Sequence, residues 1–203
     1  MNQKENQSRM ISMSAKMDTI LKIFGGFCLA GAIVAAIFIP LTFIFGDGIV
    51  ADAASIELGS VKLELAEGAI PEFAQLRPMI LLGLISAVIM CLILWYGVKV
   101  IRGIIAPMKE GKPFDESVPA GLRKLGVLVL IGGTALQVLN AVSTSVSLRV
   151  YDIENLVNTA AVKSVEMNLD FHAGYIILAA VLFLLSTIFR YGQQLQQESD
   201  ETL

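Results

Sequence analysis

The stretch IFGGFCLAGAIVAAIFIPLTFIF, Ile23–Phe45, carries no charged side chain over its whole length. About 20 residues of helix, at ~1.5 Å rise each, are needed to cross a hydrocarbon core of roughly 30 Å. Working outward from this stretch, the same charge-free pattern recurs at Met79–Val98, Leu125–Leu148 and Ala173–Phe189. The last run is shorter and reaches spanning length with Tyr191 and Gly192 as interfacial residues. With 55% hydrophobic residues in 203 and a mean hydropathy of +0.71, the chain has little left from which to build a water-soluble core. The expectation is a single membrane domain over 1–203 with transmembrane helices at about 20–45, 79–102, 120–148 and 173–195.

Charge between the runs predicts the orientation. Met1–Lys22, Lys99–Lys124 and Arg190–Leu203 carry 4, 6 and 1 Lys or Arg, whereas Gly46–Pro78 and Arg149–His172 carry 2 each. Cytoplasmic segments retain Lys and Arg, so both termini are expected in the cytoplasm. Ten of the 18 acidic residues fall in the two outer segments, which reconciles a pI near 5.2 with a basic inner face. Trp95, Tyr96 and Tyr191 at the inner ends of two runs suit an interfacial aromatic belt. The first run is too long for a secretory signal core and has no convincing cleavage site, so it reads as a retained helix.

The two outer segments, 46–78 and 146–172, read as strands. Val165, Met167, Leu169 and Phe171 alternate with polar residues along Ser164–Phe171; Ile56–Leu58 and Val61–Leu65 do so around Gly59-Ser60, as does Val146–Val150. A period of two marks a half-buried strand, and a lone hairpin is marginal in water. The predicted fold class is therefore an all-α four-helix transmembrane bundle with a small extracytoplasmic antiparallel β-sheet built from both outer loops. Residues 152–163 read as a short surface helix.

Polar residues inside the apolar runs are few. Gly133, Gln137, Asn140 and Thr144 are spaced 4, 3 and 4 and share one face of the third helix; they read as interhelical hydrogen-bonding groups or as a polar path. An ion path would call for an ionisable group, and the four cores contain none. Small-residue pairs at Gly26/Ala30, Ala32/Ala36 and Gly83/Ala87 permit close helix approach without identifying a partner or an oligomeric state, and a homo-oligomer stays open. Cys28 and Cys91 lie within spans and read as packing residues. One histidine, His172, makes no metal site. No catalytic set, cofactor site or metal site is expected, and nothing resembles a basic recognition helix for direct nucleic-acid binding.

The inner loop carries Pro107 and Gly111, which end or bend the second helix; Ser117 is the expected cap of the third, with Pro119 in its first turn. Gly111–Asp115 (GKPFD), Leu122–Gly126 (LRKLG) and the ending Ile188–Leu203 (IFRYGQQLQQESDETL) resemble the YoaS-like bacterial membrane proteins, a family of unknown function. That resemblance implies four spans in the bacterial inner (plasma) membrane. It also implies a neighbouring small Cro/Xre-type helix-turn-helix protein, with Pro113, Phe114, Arg123, Arg190, Glu198, Asp200 and Glu201 as candidate partner-binding positions. The expected function is a regulatory, non-enzymatic membrane protein that binds such a regulator at the cytoplasmic face. The alternatives are a small transporter, pore or immunity-type protein using the polar face of the third helix, or a structural subunit.

Overall fold

Each apolar run folds as a helix longer than the run itself. The computed structural model describes residues 3–44, 55–58, 61–64, 73–112, 115–151 and 172–201. Its helices are α1 (Gln3–Ile44), α2 (Phe73–Lys109), α3 (Ser117–Val150) and α4 (Gly174–Glu201). A helix satisfies its own interior N–H and C=O groups, which is what a medium without water demands. The hydroxyls follow the same rule. Ser14, Ser86, Thr134, Thr144, Ser145, Ser147 and Thr187 each donate to the carbonyl four residues back, at 2.8–3.1 Å. Thr42 reaches Ile39 at 2.7 Å just beyond Pro40, through which α1 continues.

The expected sheet joining the two outer loops is overturned: the fold is helical. Val146–Val150 forms the last turn of α3 instead of leaving the membrane as a strand. Five alternating residues at the end of a long helix gain one hydrogen bond per residue by continuing it, and a strand there would start without a partner. Strand pairing among the described residues is confined to a local antiparallel hairpin of β1 (Ser55–Leu58) and β2 (Val61–Glu64), with Leu58 opposite Val61. The strand expected at Ser164–Phe171 and the short helix expected at 152–163 lie outside the described residues.

The inward stripe of α1 is narrow and, apart from Leu21 and Ile39, made of small or polar side chains. Ser14, Gly25, Cys28, Ala32 and Thr42 are buried, and Asp18, Leu21, Ala35 and Ile39 half-buried. The spacing alternates 4 and 3 from Ser14 to Thr42, the seam of a helix packed at a shallow angle. The bulky residues point away from it: Phe27 is 72% exposed and Ile20 66%. In water such a surface would aggregate; facing lipid it needs no cover.

Contacts fall into two units. The first comprises Met1–Ala32, Met90–Ala135 and His172–Leu203; the second, Ile33–Ile89 and Leu136–Phe171. In the first, glycines mark where helices meet. A Cβ on Gly25 would stand 3.1 Å from Val98, and one on Gly97 would stand 3.5 Å from Leu128. One on Gly126 would stand 2.9 Å from the Phe183 ring. Helix α1 thus packs on α2, α2 on α3, and α3 on α4. In the second unit, Leu76 and Tyr151 form a buried pair surrounded by Met79, Ile80, Leu148 and Val150. The Arg77 guanidinium lies 5.4 Å from the ring centre of Phe43 and 5.6 Å from that of Phe73, so the aromatic faces hold its charge.

The turn between α2 and α3 is closed at both ends. Gly111 adopts φ 79°; its N–H donates to Met108 O at 3.2 Å, and the Lys112 N–H to Pro107 O at 3.0 Å. This paired C-cap requires a left-handed residue, which glycine supplies without strain. Pro107 therefore lies within the last turn of α2, and Gly111 ends it. The N-cap differs from expectation: Asp115, not Ser117, supplies the acceptor. Its Oδ1 accepts from the Ser117 hydroxyl at 2.6 Å and from the Ser117 N–H at 2.9 Å.

Those donations, the hydroxyl's foremost, hold the Asp115 carboxyl below the usual carboxylate range. A lowered native value means that the cap's contribution is present above the ordinary aspartate pKa and is lost as pH falls through the native one. Asp115→Ala is expected to speed amide exchange in the first turn of α3, foremost at Ser117, whose N–H loses its side-chain acceptor, at neutral pH. Acidification should produce the same fraying in the wild type. Equal exchange in the two proteins at pH 7 would refute the cap.

Candidate functional site

The residue pattern that builds a site lies where α3 begins and α4 leaves its apolar run. Glu116, just before α3, and Pro119, Ala120 and Arg123 on it recur at spacings of 3, 1 and 3; on α4, Ser186, Arg190, Gln193, Gln194 and Gln197 recur at 4, 3, 1 and 3. Each set is one face of a helix. The two faces enclose a groove of about 400 Å³. The Ser186 hydroxyl donates to the Pro119 carbonyl at 2.8 Å and ties the two walls together at its side. Arg123 and Arg190 come from different helices, and both are exposed. Among the described residues lining this groove Glu116 is the one carboxylate, so with Arg123 and Arg190 their formal charge is +1.

A second charged cluster joins α1 to α2. Arg102 Nε donates to Asp18 Oδ1 at 2.7 Å, and Lys109 Nζ to Oδ2 at 2.8 Å. The carboxylate is the most covered partner, with 18% of its side chain exposed against 36% and 34% for the cations. One carboxylate engaged by two cations on the facing helix is a clamp between α1 and α2. Lys99 lies 5.0 Å above the Trp95 ring, an anchor of the kind found at headgroup depth.

Several residues singled out from sequence come together and others do not. Arg123 and Arg190 share the groove. Glu198 and Glu201 are exposed further along α4, which also contains Asp200; the segment beyond Arg190 is helix and not a loose tail. Pro113 and Phe114 lie outside the described residues. The intended polar face of α3 divides: Gly133 abuts the Tyr175 ring, Gln137 is half-buried, and Asn140 and Thr144 are exposed. The Thr144 hydroxyl is directed to the Asn140 carbonyl of its own helix. Cys28 and Cys91 are free thiols. Among the described residues no three His, Cys, Asp or Glu side chains are grouped as a metal site would need.

Sequence reasoning missed the groove's amides and the Asp18 clamp. The signal for the first was present: the glutamines continue the helical spacing of Arg190 beyond the apolar run. Asp18 had a signal too, a lone acid one turn before a charge-free run whose neighbouring span ends in Arg102 and Lys109.

Four helices long and apolar enough to cross a membrane, carrying their bulky apolar side chains outward, define a multi-pass membrane protein in contact with the lipid bilayer. The chain belongs to the family described as protein of unknown function, DUF2975, whose pattern matches residues 62–203. The groove lies wholly within the matched residues, and Asp18 lies before them. No curated protein and no solved structure matches the chain.

Proposed function

We propose that this chain is a non-catalytic regulatory membrane protein of the bacterial inner membrane, YoaS-like within its family. Its cytoplasmic face would hold a small Cro/Xre-type helix-turn-helix regulator. The observation that carries this reading is the continuation of α4 past its apolar run to Glu201. That extension carries Glu198 and Glu201, both exposed, about two to three turns beyond Arg190. An acidic helix gains nothing from an anionic leaflet, which repels it, but complements the basic surface that a DNA-binding protein needs. The Lys and Arg distribution supports placing this end, with both termini, in the cytoplasm.

The test is co-purification of the full chain with a small Cro/Xre-type helix-turn-helix protein, the partner that the resemblance implies. Deleting Glu198–Leu203 is expected to abolish association while leaving membrane insertion intact. Persistent failure of the intact chain to retain the regulator would sink the proposal. The transporter, pore or immunity reading ranks second. Exposed Asn140 and Thr144, and a Gly133 covered by Tyr175, give it no continuous lining.

A further inference from the structure

We infer that the groove between α3 and α4 is a binding site for the phosphodiester of an anionic phospholipid, gripped by Arg123 and Arg190. The inference does not depend on the partner reading above. Depth is the first support. Arg123 and Lys124 immediately precede the charge-free run that starts at Leu125, and Arg190 immediately follows the one that ends at Phe189. Both guanidinium groups thus stand at the level where acyl chains give way to headgroups. Basic pockets between transmembrane helices at this depth are suited to anionic headgroups.

Chemistry is the second support. Among the described residues neither Arg123 nor Arg190 makes an ion pair, whereas Arg102 and Lys109 are both engaged by Asp18. A planar guanidinium matches two oxygens of a phosphate with two parallel N–H donors. Gln193, Gln194 and Gln197 add neutral amide donors to the same wall. The α3 N-terminus is not the recognition element, because Asp115 already caps it.

Charge balance selects the ligand. A phosphodiester bears one negative charge and neutralises a groove of +1. A free phosphate, closer to two negative charges at neutral pH, leaves an excess beside Glu116. The volume of about 400 Å³ lies within the range of small-ligand sites, roughly 300–1,000 Å³. The acyl chains need no pocket, since the outward faces of the helices around the groove are apolar: Leu184 is 62% and Ile188 55% exposed.

The experiment is native mass spectrometry of the delipidated full chain in detergent, titrated with phosphatidylglycerol, phosphatidylcholine or inorganic phosphate. Wild-type protein is expected to retain phosphatidylglycerol in preference to phosphatidylcholine. Millimolar inorganic phosphate should not displace it. Arg123→Gln with Arg190→Gln should weaken retention by about tenfold or more, as expected for losing charge-assisted bonds. Lys124→Gln, at the same depth but outside the groove, should leave it unchanged. Glu116→Gln, an exposed position where folding is not at risk, should tighten it severalfold. Equal retention by wild type and the double arginine variant, equal binding of the two lipids, or weakening by Glu116→Gln would overturn the inference. Displacement by inorganic phosphate would reassign the site to a soluble anion and refute the lipid as occupant.

Discussion

Gly133→Ala is expected to lower the thermal midpoint of the purified protein by on the order of 5 °C, while Gly26→Ala and Gly83→Ala leave it unchanged or raise it slightly. A Cβ on Gly133 would fall inside contact distance of Tyr175 Cγ, Cδ2 and Cβ. These atoms lie next to the α4 backbone, so no rotation of a flexible tip relieves the clash. Overpacking of this kind costs about 1–3 kcal/mol, and each kcal/mol corresponds to roughly 2–4 °C in a domain of this size. Alanine is intrinsically better in a helix than glycine by up to ~1 kcal/mol, which offsets only part of that cost. At Gly26 and Gly83 nothing stands within 4 Å of the added methyl, so only the propensity gain remains. Thermal unfolding in detergent, followed by circular dichroism, separates the cases. A Gly133→Ala protein as stable as the wild type would mean that α3 and α4 do not approach as described.

Asp18→Asn should cost about 1–2 kcal/mol, the second largest effect, because a charge-assisted hydrogen bond is worth ~1.5–3 kcal/mol and partial exposure discounts it. The variant leaves Arg102 and Lys109 facing each other without the anion that both contact. Lys109→Gln should cost less than Asp18→Asn, since the Arg102 bond survives it. Raising salt should narrow the gap between wild type and Asp18→Asn, as screening weakens a partly exposed cluster. Unfolding midpoints at low and high ionic strength check both statements. Equal midpoints for wild type and Asp18→Asn at low salt would show that the pair does not join α1 to α2 in solution.

The small-residue pairs show how far the sequence could be read. Gly26/Ala30 and Gly83/Ala87 have the spacing of helix contact sites, yet Gly26 and Gly83 face open space. Contact is made by other glycines: Gly25, next to Gly26, on Val98, and Gly126 and Gly133 of α3 on α4. In a soluble protein the apolar stripe marks the inside. Here every face of the run is apolar, and that contrast is lost. What survives is a difference of size and polarity: Ser14, Asp18, Gly25, Cys28, Ala32 and Thr42 all fall on one stripe that Leu21, Ala35 and Ile39 complete at alternating spacings of 4 and 3, with the phenylalanines elsewhere. Spacing alone makes Thr144 an interhelical group or part of a polar path; its hydroxyl bonds the Asn140 carbonyl of its own helix, which no spacing rule reveals.

The outer loops mark a different boundary. Alternation over five residues at Val146–Val150 was genuine in the sequence, but it lost to a helix already running from Ser117. Local pattern is a weak preference, and an element that already satisfies its backbone overrides it.

Sequence alone determined that four segments enter a bilayer, and where each begins its apolar run. Transfer of about 20 uncharged residues into hydrocarbon is a sum over composition and needs no knowledge of neighbours. Only the tertiary structure decided which glycines touch, that Asp18 clamps α2, and that Arg123 meets Arg190 across a groove. Those relations join residues 31 to 91 positions apart, and the rotation of one helix against another that creates them leaves no mark in a uniformly apolar surface.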